Sequence, residues 1–392
     1  MNLKFTALEV GSGDAFLLED NGKNILFDSG GNKQTIVKLL NKKGIKRIDL
    51  AICSHNDKDH SNGFLGLLNS KIEIGEIWLP STWASVIHSV AGFMRRDCEN
   101  CENIYCQNDN PLGCLCNIVF KERNNESYYD KLLSSREDIS NDQLIADLHF
   151  INNVASVNGC LICCRNSENK DCKLYKNCYI SKFCIDACGE YICHTHPPQK
   201  YRIGNLASES MIQLDVIISI AKEALKHGVN IRWFEPTKTC TKKNRVTDNI
   251  IVLNADESAR TIRVTKIDRL DILMFALKLT TENEYSLKME YLYNDIPVVR
   301  FSGDSDCTCQ CSNPCSYSYN IIVTAPHHGS DANANVYKTI KGDNIIWVRS
   351  DGITKARPCS DFKMQNAKYC LACGIKKFGL SRKKRPGILV SC

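Results

Sequence analysis

Apolar and polar positions alternate at the start of the chain, so that residues 3–10 (LKFTALEV), 14–19 and 24–28 (NILFD) each read as a strand, with Gly11, Gly13 and Gly22 at the turns between them. Residues 32–43 change to a helical period, placing Ile36, Val37, Leu39 and Leu40 on one face ahead of a Gly44 stop. The run IDLAIC at 48–53 is continuously apolar, as a strand buried on both faces requires, so SHNDKDHSNG is delivered at that strand's end. Residues 72–80 (IEIGEIWLP) predict another strand.

From 81 to 205 the regular pattern stops, apart from a helical stretch near 142–154. Thirteen of the 23 cysteines fall in this segment among Asn, Lys and Ser, which reads as an insertion held together by metals. The pattern resumes with a helix at 208–226, closed by Gly228, and a strand VNIRWF. Strands and turns then alternate through 249–254, 261–266, 285–293, 296–302 and 320–324. The expected organisation is therefore a domain made of 1–80 and 206–350, a cysteine-rich metal-binding insertion at 81–205, and a basic, cysteine-containing segment at 351–392.

The composition, 43% hydrophobic in 392 residues, is that of a globular protein with a sizeable core. No window approaches the roughly 18 apolar residues of a membrane span, and the first 20 residues lack a leader pattern. The expectation is a cytoplasmic protein with no membrane partner. Positive charge is concentrated at the end, where residues 343–392 hold eleven Lys or Arg against three Asp. Arg382, Lys383, Lys384 and Arg385 either contact phosphate or form a solvated tail.

The chemistry lies in His55-x-Asp57-x-Asp59-His60, two imidazoles and two carboxylates that converge only if the chain makes a compact loop or helix start. Both ligand types bind first-row divalent metals and a carboxylate bridges two ions, so this density suits a binuclear site. A charged surface turn is the competing reading.

Five separated segments resemble the hydrolase domain of the ComEC DNA-uptake proteins, within the metallo-β-lactamase superfamily. Val10-Gly11-Ser12-Gly13-Asp14-Ala15 is similar to VGQGDA, Leu26-Phe27-Asp28-Ser29-Gly30-Gly31 to LIDTGG, and Ser54-His55-Asn56-Asp57-Lys58-Asp59-His60 to SHxDxDH. Ser302-Gly303-Asp304 is similar to TGD, and Ala325-Pro326-His327-His328-Gly329-Ser330 to PHHGS. The resemblance covers roughly 1–80 and 210–350 and implies an α/β fold, the metallo-β-lactamase αββα sandwich.

It further implies that His55 and Asp57 hold one ion, Asp59 and His60 the other, that Asp304 bridges, and that His327 completes the second set. Asp59 and His328 would be catalytic, with His328 and Ser330 meeting substrate phosphate or moving a proton. The alternative for His328 is to orient a ligand, the role expected of Asp14 and Asp28. Ser286, with Asn283 and Tyr285, is either a substrate contact or a plain strand start. The third ligand of the first ion stays unassigned, because His194 and His196 lie in the insertion and His227 ends a helix. With Asp57 where a histidine is usual, that ion's site is oxygen-rich and suits Mn²⁺ or Mg²⁺ as well as Zn²⁺.

The cysteines form spaced groups that suit tetrahedral thiolate sites: Cys98, Cys101, Cys106, Cys114 and Cys116, then Cys160, Cys163, Cys164, Cys172, Cys178, Cys184, Cys188 and Cys193. Cys307, Cys309, Cys311 and Cys315 follow Asp304, and Cys370 with Cys373 resembles half a zinc knuckle, with Cys359 and Cys392 as partners. Structural zinc is expected, with iron–sulfur ligation and plain thiols or disulfides as alternatives.

The function expected is a metal-dependent phosphodiesterase, most simply a nuclease, acting on nucleic acid with two Zn²⁺ or Mn²⁺ ions. The alternatives are hydrolysis of a small phosphoester such as a cyclic nucleotide, or a nucleic-acid or protein binding module whose hydrolase site is vestigial.

Overall fold

The computed structural model describes residues 3–99, 136–158, 213–237, 240, 244–262, 279, 285–305, 316–342, 344–351, 357–371 and 375–376. The described chain divides into two compact units, one of Met1–Ser81, Ser219–Ser258 and Glu282–Cys392, the other of Thr82–Ile218 and Ala259–Thr281.

In the first unit, strands β1 (Lys4–Ala7), β2 (Phe16–Asp20) and β3 (Lys23–Phe27) form an antiparallel meander as the alternation predicts. Helix α1 (Lys33–Lys42) starts where Asn32 Oδ1 accepts the Gln34 and Thr35 amides, and it buries Ile36 and Leu40. Strand β4 (Arg47–Ile52) pairs parallel with β3, helix α2 spans Lys58–Leu68, and β5 (Glu73–Pro80) pairs parallel with β4. Strand β6 (Arg136–Asp138) belongs to the second unit. The first sheet is completed by β7 (Asn230–Pro236), parallel to β5, while β8 (Asn244–Thr247) and β9 (Ile250–Val252) open the second. Strand β10 (Ala255–Glu257) returns to the edge of the first sheet, and β11 (Arg260–Ile262) pairs with β6.

The second sheet continues through β12 (Met289–Tyr293), β13 (Ile296–Phe301), β14 (Ile321–Thr324), β15 (Ile345–Arg349), β16 (Lys368–Cys370) and β17 (Ile375–Lys376). Residues Tyr285–Lys288, expected as strand, lie before β12 as non-strand backbone.

The period of two decides what is buried. Phe5 and Ala7, Phe16 and Leu18, Ile25 and Phe27, Leu50 and Ile52 from the first sheet share one core with Met289 and Tyr291, Val299 and Phe301, Ile322 and Val348 from the second. Phe301 stacks on Phe27 with ring centroids 4.5 Å apart. The outer face of the first sheet carries α1 and α2. The second sheet's outer face buries Val323 and Trp347 with Val336, Tyr337 and Phe362 of two short helices, Val336–Thr339 and Ser360–Met364. This is an αββα sandwich.

The second unit holds a long helix, α3 (Thr82–Glu99), another at Asn141–Asn158, and the β6–β11 pair. His88 Nδ1 meets Asp147 Oδ2 at 2.7 Å between the two helices. Helix α3 corrects the expectation that regular structure stops at 81: Trp83, Val86, Ile87, Val90 and Ala91 are buried at helical spacing. Serines at 85 and 89 disguise that stripe in the sequence. The helix expected at 208–226 is described over 213–226. Among the described residues no helix is long and apolar enough to cross a membrane.

Gly63 fixes how α2 seats on the first sheet. A Cβ there would stand 2.1 Å from the Ser29 carbonyl oxygen, and the Gly63 amide donates to the Gly30 carbonyl at 2.9 Å. Gly92, in α3, would meet nothing within 4 Å. Gly63→Ala should therefore destabilise by about 1–3 kcal/mol through overpacking against backbone. Gly92→Ala should be neutral or stabilise by up to about 1 kcal/mol. Equilibrium urea unfolding of both variants separates the two outcomes, and equal midpoints would refute the packing argument.

Candidate metal centre

Parallel pairing aligns the carboxyl ends of β3, β4, β13, β14 and β15 along one edge of the sandwich, where ligand sites in open α/β sheets collect. Residue 28 follows β3, residues 54–60 follow β4, Asp304 follows β13 and the 326–330 turn follows β14. Segments nearly 300 residues apart in sequence thus meet at one edge: His60 Nε2 lies 3.0 Å from Asp304 Oδ1 and 3.1 Å from His328 Nε2.

Each imidazole is held through its other nitrogen. Asp28 Oδ2 accepts from His60 Nδ1 at 2.8 Å and from the Ser54 hydroxyl at 2.8 Å, while Asp28 Oδ1 accepts the Ser54 amide at 2.8 Å. Because the Ser54 hydroxyl hydrogen is used on Asp28, its oxygen must accept from His55 Nδ1, 2.8 Å away. Asp14 Oδ2 stands 3.2 Å from His328 Nδ1, and Asp14 Oδ1 accepts from Ser350 at 2.9 Å. In the neutral rings these contacts favour the proton on Nδ1 and leave Nε2 with the lone pair a metal would take.

The donors fall into two sets of closely grouped ligand atoms, Asp14, His60, Asp304 and His328 in one, and His55, Asp57 and Asp304 in the other. Asp304 belongs to both, the placement expected of a carboxylate that would be shared by two ions. His55 Nε2 is buried without a hydrogen-bond partner, 3.6 Å from Asp57 Oδ2 and 3.7 Å from Asp304 Oδ2. Tetrahedral ligands at 2.0–2.1 Å from an ion lie about 3.4 Å apart, and the separations here, 3.0 and 3.1 Å around His60 and 3.6 and 3.7 Å around His55, fall on either side of that value. The orphaned His55 nitrogen, and two imidazole nitrogens facing each other at 3.1 Å, are what a cation site requires. The residues present fit divalent metal ions.

The structure places the expected residues as follows. His55, Asp57, His60 and Asp304 converge as expected. Asp57 begins α2 with its carbonyl accepting the His60 and Ser61 amides, and its side chain does not cap the helix. Asp59 Oδ2 lies 3.1 Å from His328 Nε2 and keeps 31% of its side-chain exposure, which puts it at the open side.

The two histidines of the turn exchange expected roles. His328 is fully buried with Nε2 beside His60 and Asp59, the position of a ligand, whereas His327 is partly exposed, its Nδ1 meeting Asn333 Oδ1 at 3.2 Å and its Nε2 3.7 Å from Asp304. The cause is backbone: both residues have left-handed dihedrals, φ +48° and +54°, which turn adjacent side chains in directions that sequence spacing does not reveal.

Ser286 is also corrected. It is fully buried, and its hydroxyl accepts the Asp304 amide at 3.2 Å, so it positions Asp304 and is not open to substrate. Ser330 caps the following turn by accepting the Ala332 amide at 3.3 Å and remains partly exposed. Asp14 lies within the same group of candidate ligand atoms as His60 and His328, with Oδ2 facing His328 Nδ1 and Oδ1 taken by Ser350, which is the orienting placement expected of it.

Among the cysteines, Cys98 falls within α3, while those from Cys101 to Cys193, those from Cys307 to Cys315, and Cys373 lie outside the described residues. Cys370 is buried with its sulfur accepting from Arg349 Nη1 at 3.1 Å. Its expected partner Cys373 lies outside the described residues. Cys359 accepts the Phe362 amide at 3.5 Å as a helix cap.

In the metal-free protein, burial alone would lower the pKa of both ligand imidazoles, but the facing carboxylates win. Asp304 and Asp28 raise His60 well above 6.5, and Asp14 and Asp304 raise His328 to about 10. Burial would raise Asp304 and Asp59, yet His60 and His328 hold both carboxyls well below 3.8. His327 goes the other way, lowered by burial and by the charges of Arg357 and His328.

Residues 8–73 match the family model described as "Metallo-beta-lactamase superfamily". The competence protein ComA of Neisseria gonorrhoeae is 37% identical over 76 residues, which is 19% of this chain and 11% of that protein. The chain thus matches about a tenth of the length of this curated relative. The family match contains Asp14, Asp28, His55, Asp57, Asp59 and His60, and the fold adds Asp304 and His328 from beyond it.

Two outcomes follow. Metal binding must displace protons from His60 and His328, so uptake near neutral pH should release protons, and affinity should rise with pH towards about 10. Titration calorimetry in buffers of different ionisation enthalpy measures the release, and none would refute the protonation assigned here. Without metal, the raised imidazoles stabilise fully below 6.5 and lose that contribution as pH rises through their folded values; the lowered carboxyls do so above 3.8 and lose it as pH falls. Metal-free stability should accordingly peak between those two values. Asp28→Asn presents an amide hydrogen to His60 Nδ1 and reverses its tautomer, so metal affinity should fall about 10–100-fold with circular dichroism unchanged.

Proposed function

We propose that this chain, a metallo-β-lactamase-fold protein of the ComEC type, is a metal-dependent hydrolase that cleaves phosphodiesters, most directly those of nucleic acid. The single observation that carries the reading is Asp304 standing between two imidazole–carboxylate sets at the open edge of the sandwich. His55, Asp57 and Asp304 would hold one divalent ion, and His60, His328 and Asp304, with Asp59 beside them, the other. Ions so held acidify a water and offset charge on phosphoryl oxygens.

The rest of the work falls to the chain. Asp28, Ser54 and Asp14 keep the three ligand imidazoles in the tautomer that presents Nε2. His327 is suited to proton transfer: it is partly exposed, lies 3.7 Å from Asp304, and its lowered pKa leaves it neutral at physiological pH, able to take a proton at Nε2 and release it to solvent. Asp57 and Asp59, with 23% and 31% of their side chains exposed, mark the side from which a phosphate reaches the centre.

Phosphodiester chemistry is favoured by the match to a competence protein and by the basic C-terminal segment. All the expected acidic and histidine ligands except the third histidine are present, which argues against a vestigial site.

Purified protein with Mn²⁺ or Zn²⁺ should hydrolyse single- or double-stranded DNA or RNA, and Asp304→Asn should reduce the rate by at least about 100-fold, as expected when a bridging ligand is lost. A substrate panel that includes cyclic nucleotides separates the small-phosphoester alternative. Intact nucleic acids, with wild type and Asp304→Asn indistinguishable on all substrates, would remove the proposal.

A further inference from the structure

Arg349 and Arg357 both face the carboxylate of Asp351, and they are satisfied to different degrees. Arg349, fully buried, donates from Nε to the His328 carbonyl at 2.8 Å, from Nη1 to the Cys370 sulfur at 3.1 Å, and from Nη2 to Asp351 Oδ2 at 3.2 Å. The other oxygen of Asp351 accepts the Gly13 amide at 3.0 Å. Arg357 approaches Oδ2 only to 3.8 Å, beyond hydrogen-bond reach, and retains 25% of its side-chain exposure. Among the described residues, two guanidiniums thus share the Asp351 carboxylate, and the more accessible positive charge is that of Arg357.

That charge sits beside the metal centre. Pro358 packs 3.6 Å from where a Cβ of Gly329 would stand, and the Cys359 amide donates to the Gly329 carbonyl at 2.8 Å, so the 357–359 segment runs along the His327–His328 turn. On its other side, the Asp351 contact with Gly13 ties the arginine to the loop carrying Asp14, and that loop abuts the Asp59 backbone. The influence of Arg357 on His327 agrees with this placement. The neighbouring open-side groups, Asp57, Asp59 and His327, offer two carboxylates and one imidazole, and the carboxylates are the ones a metal would occupy.

We propose that Arg357 is a substrate-binding residue, its guanidinium taking an anionic oxygen of the phosphate that reaches the metal centre. The inference rests on the phosphodiesterase reading above. Guanidinium suits the task because its planar fork matches phosphate oxygens in paired, charge-assisted hydrogen bonds, whereas a lysine would offer a point charge.

The test uses the metal-loaded full chain and inorganic phosphate as the probe, followed by calorimetry. Arg357→Gln should weaken phosphate binding by about 10–100-fold, the range for a hydrogen bond to a charged group, with the number of bound metal ions unchanged. Arg357→Lys should recover part of the loss. With a chromogenic phosphodiester such as bis(p-nitrophenyl) phosphate, KM should rise more than kcat falls. A measurement on wild type alone guards against a variant that fails to fold: phenylglyoxal should label Arg357, and phosphate should protect it, as read by peptide mass spectrometry.

Phosphate affinity within twofold of wild type in Arg357→Gln, or labelling of Arg357 that phosphate leaves unchanged, overturns the assignment. Wild type that binds metal but no phosphate would instead overturn the hydrolase reading, so the two failures are distinct.

Discussion

The carboxylate of Asp28 is the constraint from which the metal centre follows. Fully buried at the end of β3, it accepts the Ser54 amide, the Ser54 hydroxyl and His60 Nδ1, and so sets the tautomers of His60 directly and of His55 through one intervening hydroxyl. Its backbone is left-handed, φ +56°, a conformation that costs roughly 1–3 kcal/mol and persists only where surrounding bonds over-determine it. Those bonds are the parallel register of β3 on β4, continued by the Asp28 amide to the Ile52 carbonyl at 2.8 Å. Sheet pairing thus determines which imidazole nitrogen faces the centre.

The second half of the chain solves the same problem differently. Asp304 is aimed by a serine below it, with Ser286 taking its amide, and by Asn333, whose amide donates to its carbonyl at 3.3 Å. The His327–His328 turn is held by the His327 amide on the Gly303 carbonyl at 3.2 Å and by Arg349 on the His328 carbonyl. The His328 ring leans on the first half through Asp14. The two halves of the sandwich are therefore joined at the centre by polar contacts as well as by the apolar core, and the ligands contributed by each are positioned before any cation arrives.

What could be read in the sequence was whatever depends on short-range spacing. The strands from Lys4 to Pro80 and their turns follow from alternation and glycine, and HNDKDH declares its chemistry because four ligand side chains in six positions have little other use. Helix α3 was hidden because small serines interrupt its apolar stripe without breaking it. The exchange between His327 and His328 was illegible in principle, since adjacent residues differ in role only through positive φ values. Ser286 and Arg349 act across sheet edges on backbone groups, and Arg357 lies outside the resembling segments, so neither a motif nor a period points to them.

The two donor sets are not equivalent, and the difference bears on where chemistry takes place. His60, His328 and Asp304 are almost wholly withdrawn from solvent, while the other set has three members and includes the partly exposed Asp57. A closed set suits a structural ion, and a set of three protein ligands leaves a position for water or substrate. Each set thus has one partly exposed carboxylate at its rim, Asp59 beside His328 and Asp57 beside His55, and among the described residues no third histidine stands beside His55 and Asp57. On the reading proposed above, the position left beside His55 and Asp57 would suit an oxygen ligand such as that of a phosphate, whose remaining charge would need a partner that is fixed, accessible and not a metal ligand.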